Sequence, residues 1–169
     1  DIYMNILKKH GVDPAMVEIE LTETAVVSEY KSVRKLFDSF QMHGIKTAMD
    51  DFGSGYSVLN TIVDIPVDVI KIDRGFITSC LETDRGIYFL KHLIAMIQNL
   101  GYQIICEGVE TDEQIEILRQ IGCDEIQGYW YSKPLPMEDY KELLQTEKIS
   151  KGGGKTPKQT KSPKICFRQ

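Results

Sequence analysis

Glu20, Asp50, Asp51, Lys71, Asp73, Glu107 and Gln127 are the residues whose types and spacing could do chemistry. Each stands at or near the C-terminal end of a short stretch that alternates apolar and polar residues. Several carboxylates converging on one site repel each other, and one lysine cannot balance them. Either some hold protons or a divalent cation neutralises them. Oxygen donors without His or Cys suit Mg²⁺ or Mn²⁺. In "MDDFGSGYS", residues 49–57, two adjacent aspartates at a strand end could serve two neighbouring ions, one carboxylate acting as a bridge. Paired ions about 3.5–4 Å apart suit in-line attack of water on a phosphodiester.

Each residue also has a plainer reading. Asp-Asp before Gly is a common turn or helix cap. Lys71 with Asp73 can be a structural ion pair, Glu107 before Gly108 a loop acid, and Gln127 an amide that satisfies a backbone group. The chemical reading rests on joint placement, since five stretches carry a polar group at the same end. His10, His43 and His92 fall on helices or at their ends and receive no ligand role.

The elements that would position these groups alternate strictly. Strands are expected over 17–23, 46–52, 67–74, 102–110 and 124–130. Helices are expected over 29–43, 84–100 and 112–121, with a short one near 56–62, another opening at "MEDYKELLQ", and a helix at the start of the chain. Val33, Leu36, Phe37 and Phe40 recur at helical spacing, as do Ile87, Leu90, Leu93, Ile94 and Ile97, and Phe89 and Met96 are also assigned to the core. Gly101 closes the 84–100 helix, while Thr111 and Gln114 bracket the start of the next. Such alternation implies parallel strands with right-handed crossovers.

The two-residue strand period separates Glu18, Glu20 and Thr22 from Val17, Ile19 and Leu21. It likewise sets Lys71 and Asp73 against Ile70 and Ile72, Glu107 against Ile104 and Cys106, and Glu125 and Gln127 against Ile126. An open doubly wound sheet would bury two apolar faces. Polar faces turned to a shared interior suit a TIM-like (β/α) barrel, with its site at the strand C-termini. A whole barrel has eight strands and roughly 250 residues. Five strands in the first 145 residues therefore predict an incomplete barrel of about five C-terminal β/α units.

The chain has 169 residues, 20 basic and 25 acidic. Seven of the basic residues fall in 148–169, which hold no acid, so residues 1–147 carry 13 basic and 25 acidic residues, a net of −12. The tail "KGGGKTPKQTKSPK" is Gly, Pro and polar throughout, so residues 148–169 are expected to form a basic disordered segment after a domain at 1–147. Cys80, Cys106, Cys123 and Cys166 form no C-x-x-C pair, which indicates neither a zinc site nor a disulfide framework. No apolar run is long enough to span a membrane. Reduced thiols and a cytoplasmic location are the expectation.

"EIELTE", "DDFGSGYS", "IKIDRGFI", "CEGVET" and "GCDEIQGYWYSKPLP" resemble, in order and spacing, the successive signatures of the EAL domain, the bacterial cyclic di-GMP phosphodiesterase. The resemblance covers residues 1–145. It implies a modified TIM barrel that hydrolyses cyclic di-GMP to linear pGpG with two Mg²⁺ or Mn²⁺ ions. It implies that Glu20 is a ligand of the first metal, Asp50 the bridging ligand and Asp51 a ligand of the second. Lys71 would contact and help activate the attacking water, Glu107 would lie beside the second metal and that water, and Gln127 would be an amide near the site. Asp73 would support the lysine, while Glu23 and Glu110 would brace the adjoining loops. Residues 52–60 match the family's loop between dimer interface and metal site, which implies a homodimer.

The Glu-Ala-Leu motif itself, with its metal-binding glutamate, does not occur in the 169 residues, nor does the asparagine expected on the strand before "ELTE". Both would lie upstream of Asp1, so the expectation is a C-terminal portion with little activity alone. Two rivals stand beside this reading. One is an inactive EAL-like module that binds cyclic di-GMP or a protein partner. The other is a different Mg²⁺ barrel, such as an enolase-type proton-abstracting enzyme. The expected partner is cyclic di-GMP rather than a DNA or RNA polymer.

Overall fold

A computed structural model describes residues 2–55, 62–63 and 65–145. Five strands form one parallel sheet in chain order: β1 (Glu18–Thr22), β2 (Lys46–Phe52), β3 (Val69–Ile72), β4 (Gln103–Glu107) and β5 (Glu125–Gln127). The helices are α1 (Ile2–His10), α2 (Glu23–Ser28), α3 (Tyr30–Met42), α4 (Arg74–Leu81), α5 (Asp84–Asn99), α6 (Asp112–Gln120) and α7 (Met137–Gln145), with a 3-10 turn at Pro14–Met16. The short helix expected near 56–62 and the basic tail at 148–169 fall wholly or almost wholly outside the described residues. No helix among the described residues is long and apolar enough to cross a membrane.

The helices start where side chains can meet free backbone amides. Thr83 caps α5 by accepting from the Gly86 N–H at 3.0 Å. Thr111 and Gln114 complete a reciprocal capping box on α6, which satisfies donors that the first turn leaves open. Leu90, Leu93, Ile94 and Ile97 then bury one stripe of α5 against the sheet. Each fully buried side chain of this kind contributes about 1.5–3 kcal/mol.

Paired residues in a parallel sheet project to the same side, so the register sorts the two faces. On the helix-covered face, Met49, Ile70, Ile72, Ile104 and Cys106 join the main core. On the other face, Ala48, Val69 and Ile105 form a separate small apolar cluster. One step closer to the strand C-termini, the same face carries Asp50, Lys71 and Glu107. An apolar floor beneath a polar rim at that end is the layering of a (β/α) barrel interior. The strand periodicity predicted this arrangement.

Several expectations need correcting. The strand expected at 67–74 ends at Ile72, and Arg74–Leu81 is a helix absent from the sequence reading. The strand at 17–23 likewise gives way to α2 at Glu23. Phe89 and Met96 lie 51% and 41% exposed on α5, and Leu36 is 43% exposed on α3, so these are not core residues. Their positions fall off the buried stripe by one helical step.

Candidate active site

Lys71 organises the rim. Its side chain is 1% exposed, and its ammonium lies 2.8 Å from Glu107 Oε1, 3.0 Å from Glu20 Oε2 and 3.3 Å from Asp50 Oδ1. Three strands besides its own thus deliver a carboxylate to one cation. Burial pulls the ammonium towards deprotonation, but hydrogen bonds and charge from Glu107 and Glu20 outweigh it and raise the pKa above the ordinary lysine range.

Asp50 and Asp51 reach the same place by an irregularity in β2. Neighbouring strand residues normally point to opposite faces. Here Met49 pairs with Ile70 and Phe52 with Ile72, so Asp50 and Asp51 together stand opposite Lys71 alone. That is a bulge, and Asp51 takes φ +58° to complete it. Asp is among the few residues that tolerate the left-handed region. The bulge brings carboxylate oxygens of Asp50, Asp51 and Glu107 within 4.8 Å of one another. The sequence reading paired the two aspartates on chemical grounds but had no signal for the bulge beyond the glycine at 53.

Glu23 is 4% exposed and accepts the Gly53 N–H at 3.0 Å. It thereby ties the first residue of α2 to the turn that follows Asp51. Gly53 has φ +95°, and a Cβ there would stand 2.6 Å from the Phe76 ring, so only glycine fits. Glu110 pairs with Arg74 at 2.8 Å on the surface, joining the loop after β4 to the start of α4. The Arg74 stem lies directly over Gly108.

Two predicted residues fall elsewhere. Asp73 was expected to share the Lys71 face and support the lysine. Its carboxylate instead caps α4, accepting from Gly75 N at 2.8 Å and Phe76 N at 3.1 Å. The strand has ended by then, so the two-residue period no longer applies. Gln127 pairs in register with Glu107 but is exposed at the end of β5, and no side-chain contact to the lysine cluster is observed.

Sequence reasoning overlooked Asp68 and Asp124. Each precedes a strand and accepts an amide of the neighbouring one: Asp68 from Thr47 N at 2.9 Å and Asp124 from Ile104 N at 2.9 Å. They fix β2 against β3 and β4 against β5 at the end opposite the rim. The recurring Asp-x-Ile (68–70 and 124–126) was the available signal.

The donor set fits a hard divalent cation. Asp50, Asp51 and Glu107 offer carboxylate oxygens only, and with Glu20 they set four acids against one ammonium. An uncompensated cluster of that kind is costly in a partly buried site.

The EAL domain family matches residues 1–134. The chain belongs to the EAL domain family. It is similar to the cyclic di-GMP phosphodiesterase NbdA of Pseudomonas aeruginosa, with 34% identity over 144 residues, 85% of this chain and 18% of that protein. It superimposes on the Pseudomonas aeruginosa MucR phosphodiesterase in its c-di-GMP complex with a TM-score of 0.74 and 31% identity, over 81% of this chain and 56% of that one. Klebsiella pneumoniae BlrP1, in a manganese/cy-diGMP complex, gives a TM-score of 0.72 and 32% identity, over 78% of this chain and 34% of that one. The chain spans 16–19% of the length of three of its curated relatives. The partial (β/α) barrel of this EAL chain is thus that of the solved EAL domains.

Proposed function

We propose that this EAL chain carries the Lys71 side of a cyclic di-GMP phosphodiesterase centre, producing linear pGpG. The observation that carries the reading is the convergence of Glu20, Asp50, Asp51 and Glu107 around one buried lysine at the C-terminal end of the sheet. Relatives named as cyclic di-GMP phosphodiesterases support it. The acidic body, with its net of −12, disfavours a DNA or RNA polymer as partner.

In this reading Asp50, Asp51, Glu107 and Glu20 would hold Mg²⁺ or Mn²⁺. Such cations supply positive charge that offsets the carboxylates and polarises the phosphodiester. The chain's own residues do the rest. Lys71, held as an ammonium, donates a hydrogen bond to the attacking water and stabilises the negative charge that develops on its oxygen. Glu107, 2.8 Å from that ammonium, is within reach of the departing proton. Gln127, exposed at the end of β5, is in this reading an amide near the site. Glu23 and Glu110 hold the adjoining loops, so the reacting groups meet in one geometry. Asp73 serves by starting α4 directly after the lysine strand.

The domain in this reading is 1–147, followed by a basic segment at 148–169. Homodimer contact through the loop at 52–60, of which 56–60 lie outside the described residues, would act on Asp51 through the chain itself. The Glu-Ala-Leu motif does not occur among these 169 residues, and in this reading the chain alone turns over slowly.

The test is conversion of cyclic di-GMP to pGpG by a protein that joins this chain to a Glu-Ala-Leu strand. Asp50→Asn should lower turnover by at least about 10²-fold, while Asp38→Asn on the exposed face of α3 leaves it unchanged. Equal activity of the two variants at saturating Mg²⁺ would overturn the assignment.

A further inference from the structure

Away from the acidic rim, Cys106 and Cys123 bring their sulfurs to 3.2 Å, closer than simple van der Waals contact. Cys106 is fully buried on the helix-covered side of β4, one residue before Glu107. Cys123 is half-buried in the turn between α6 and β5. Its thiol also donates to the Glu125 carbonyl oxygen at 3.0 Å, and its own amide is held by Leu118 O at 3.0 Å. Both thiols are free. We propose that Cys106 and Cys123 form an oxidisable dithiol, a modification site at which a peroxide closes an intrachain disulfide between β4 and the turn leading into β5.

Cys123 is the entry point, because a small oxidant reaches the half-buried sulfur and not the buried one. The Cys123 sulfur attacks the peroxide, the O–O bond breaks, and the cysteine becomes a sulfenic acid while an alcohol (or water) leaves. The Cys106 sulfur then displaces the hydroxyl, which departs with the Cys106 proton as water. Two thiols lose two electrons and two hydrogens, and the peroxide takes them up. Closing from 3.2 Å to a bond of about 2.05 Å needs only a small shift of the Cys123 turn. The bridge would fasten the segment that ends in Gln127 to the strand that ends in Glu107.

The experiment treats the purified 169-residue chain with hydrogen peroxide. Remaining thiols are then alkylated under denaturing conditions, and tryptic peptides are analysed by mass spectrometry. Arg119 lies between the two cysteines, so a bridge yields two linked peptides. The expected result is that linked product in the wild type and equally in Cys166→Ser, and its loss in Cys123→Ser, where Cys106 stays alkylated. Treatment in concentrated urea should lower the yield, because there the fold no longer holds the sulfurs together. Cys123 recovered as a sulfinic acid beside an alkylated Cys106 would overturn the proposal. So would preferred linkage of Cys123 to Cys166, or both thiols left unoxidised while Cys166 reacts.

Discussion

The ammonium of Lys71 lies 2.8 Å from Glu107 Oε1, between a side chain 1% exposed and one 6% exposed. Glu20 and Asp50 complete the ring around it. Removing the one cation leaves buried carboxylates facing each other, a change that typically costs about 3–5 kcal/mol. Lys71→Met in cation-free buffer should therefore lower the unfolding free energy read from urea titration by an amount of that size, with a correspondingly lower midpoint. Millimolar Mg²⁺ or Mn²⁺ should restore part of the loss, since a divalent ion does the same electrostatic work. An unchanged unfolding free energy, or one that the cations lower further, would mean that the lysine offsets none of the cluster's charge.

The pH dependence follows from the same contacts. Burial lowers the Lys71 pKa and Glu107 and Glu20 more than reverse it, so the folded value lies above the unfolded one. A group raised in this way adds stability that is complete below its unfolded pKa and disappears as pH rises through the folded pKa. The stability difference between wild type and Lys71→Met should then stay level from about pH 7 to 9 and shrink above roughly 10.4, the ordinary lysine value. Denaturant titrations across that range give the answer directly. A difference that widens on the alkaline side would contradict the sign.

Glu23 and Gly53 supply a separate handle on the turn behind Asp51. The carboxylate accepts one amide at 3.0 Å from a buried position, a charge-assisted bond worth about 1.5–3 kcal/mol. Glu23→Ala should lose stability of that order and speed amide exchange at Gly53. Glu23→Gln, which keeps an acceptor, should lose less. Hydrogen exchange read at single residues distinguishes the two, and equal protection of Gly53 in all three proteins would count against the brace.

Much of this was legible in the sequence because strand periodicity is a backbone property. Lys71, Glu107 and Glu20 were assigned to one face by counting in twos, and the register bears the counting out. The same rule failed where the backbone stops being a strand. Asp73 follows the last residue of β3, and the open amides of α4 claim its carboxylate. Asp51 belongs by parity to the apolar face, and only a bulge with a positive φ turns it inward. Neither event has a local sequence marker strong enough to compete with alternation. The helix at 74–81 was missed because "RGFITSCL" holds a glycine and β-branched residues, which read as strand or loop. Its stability comes instead from the Asp73 cap and from burying Ile77 and Cys80. The contact between Cys106 and Cys123 was equally invisible, since their spacing matches no motif and the meeting is made by a β4–α6–β5 crossover.

The central claim is that Asp50, Asp51 and Glu107 bind a divalent cation through their converging oxygens. The most direct measurement is a Mn²⁺ titration of the 169-residue chain, followed by loss of the free-ion electron paramagnetic resonance signal. Saturable binding is expected of the wild type and of Asp38→Asn. Asp50→Asn should bind at least about tenfold more weakly, a loss of 1.4 kcal/mol or more. Wild type and Asp50→Asn giving the same titration curve, or no binding by either at millimolar Mn²⁺, would contradict it.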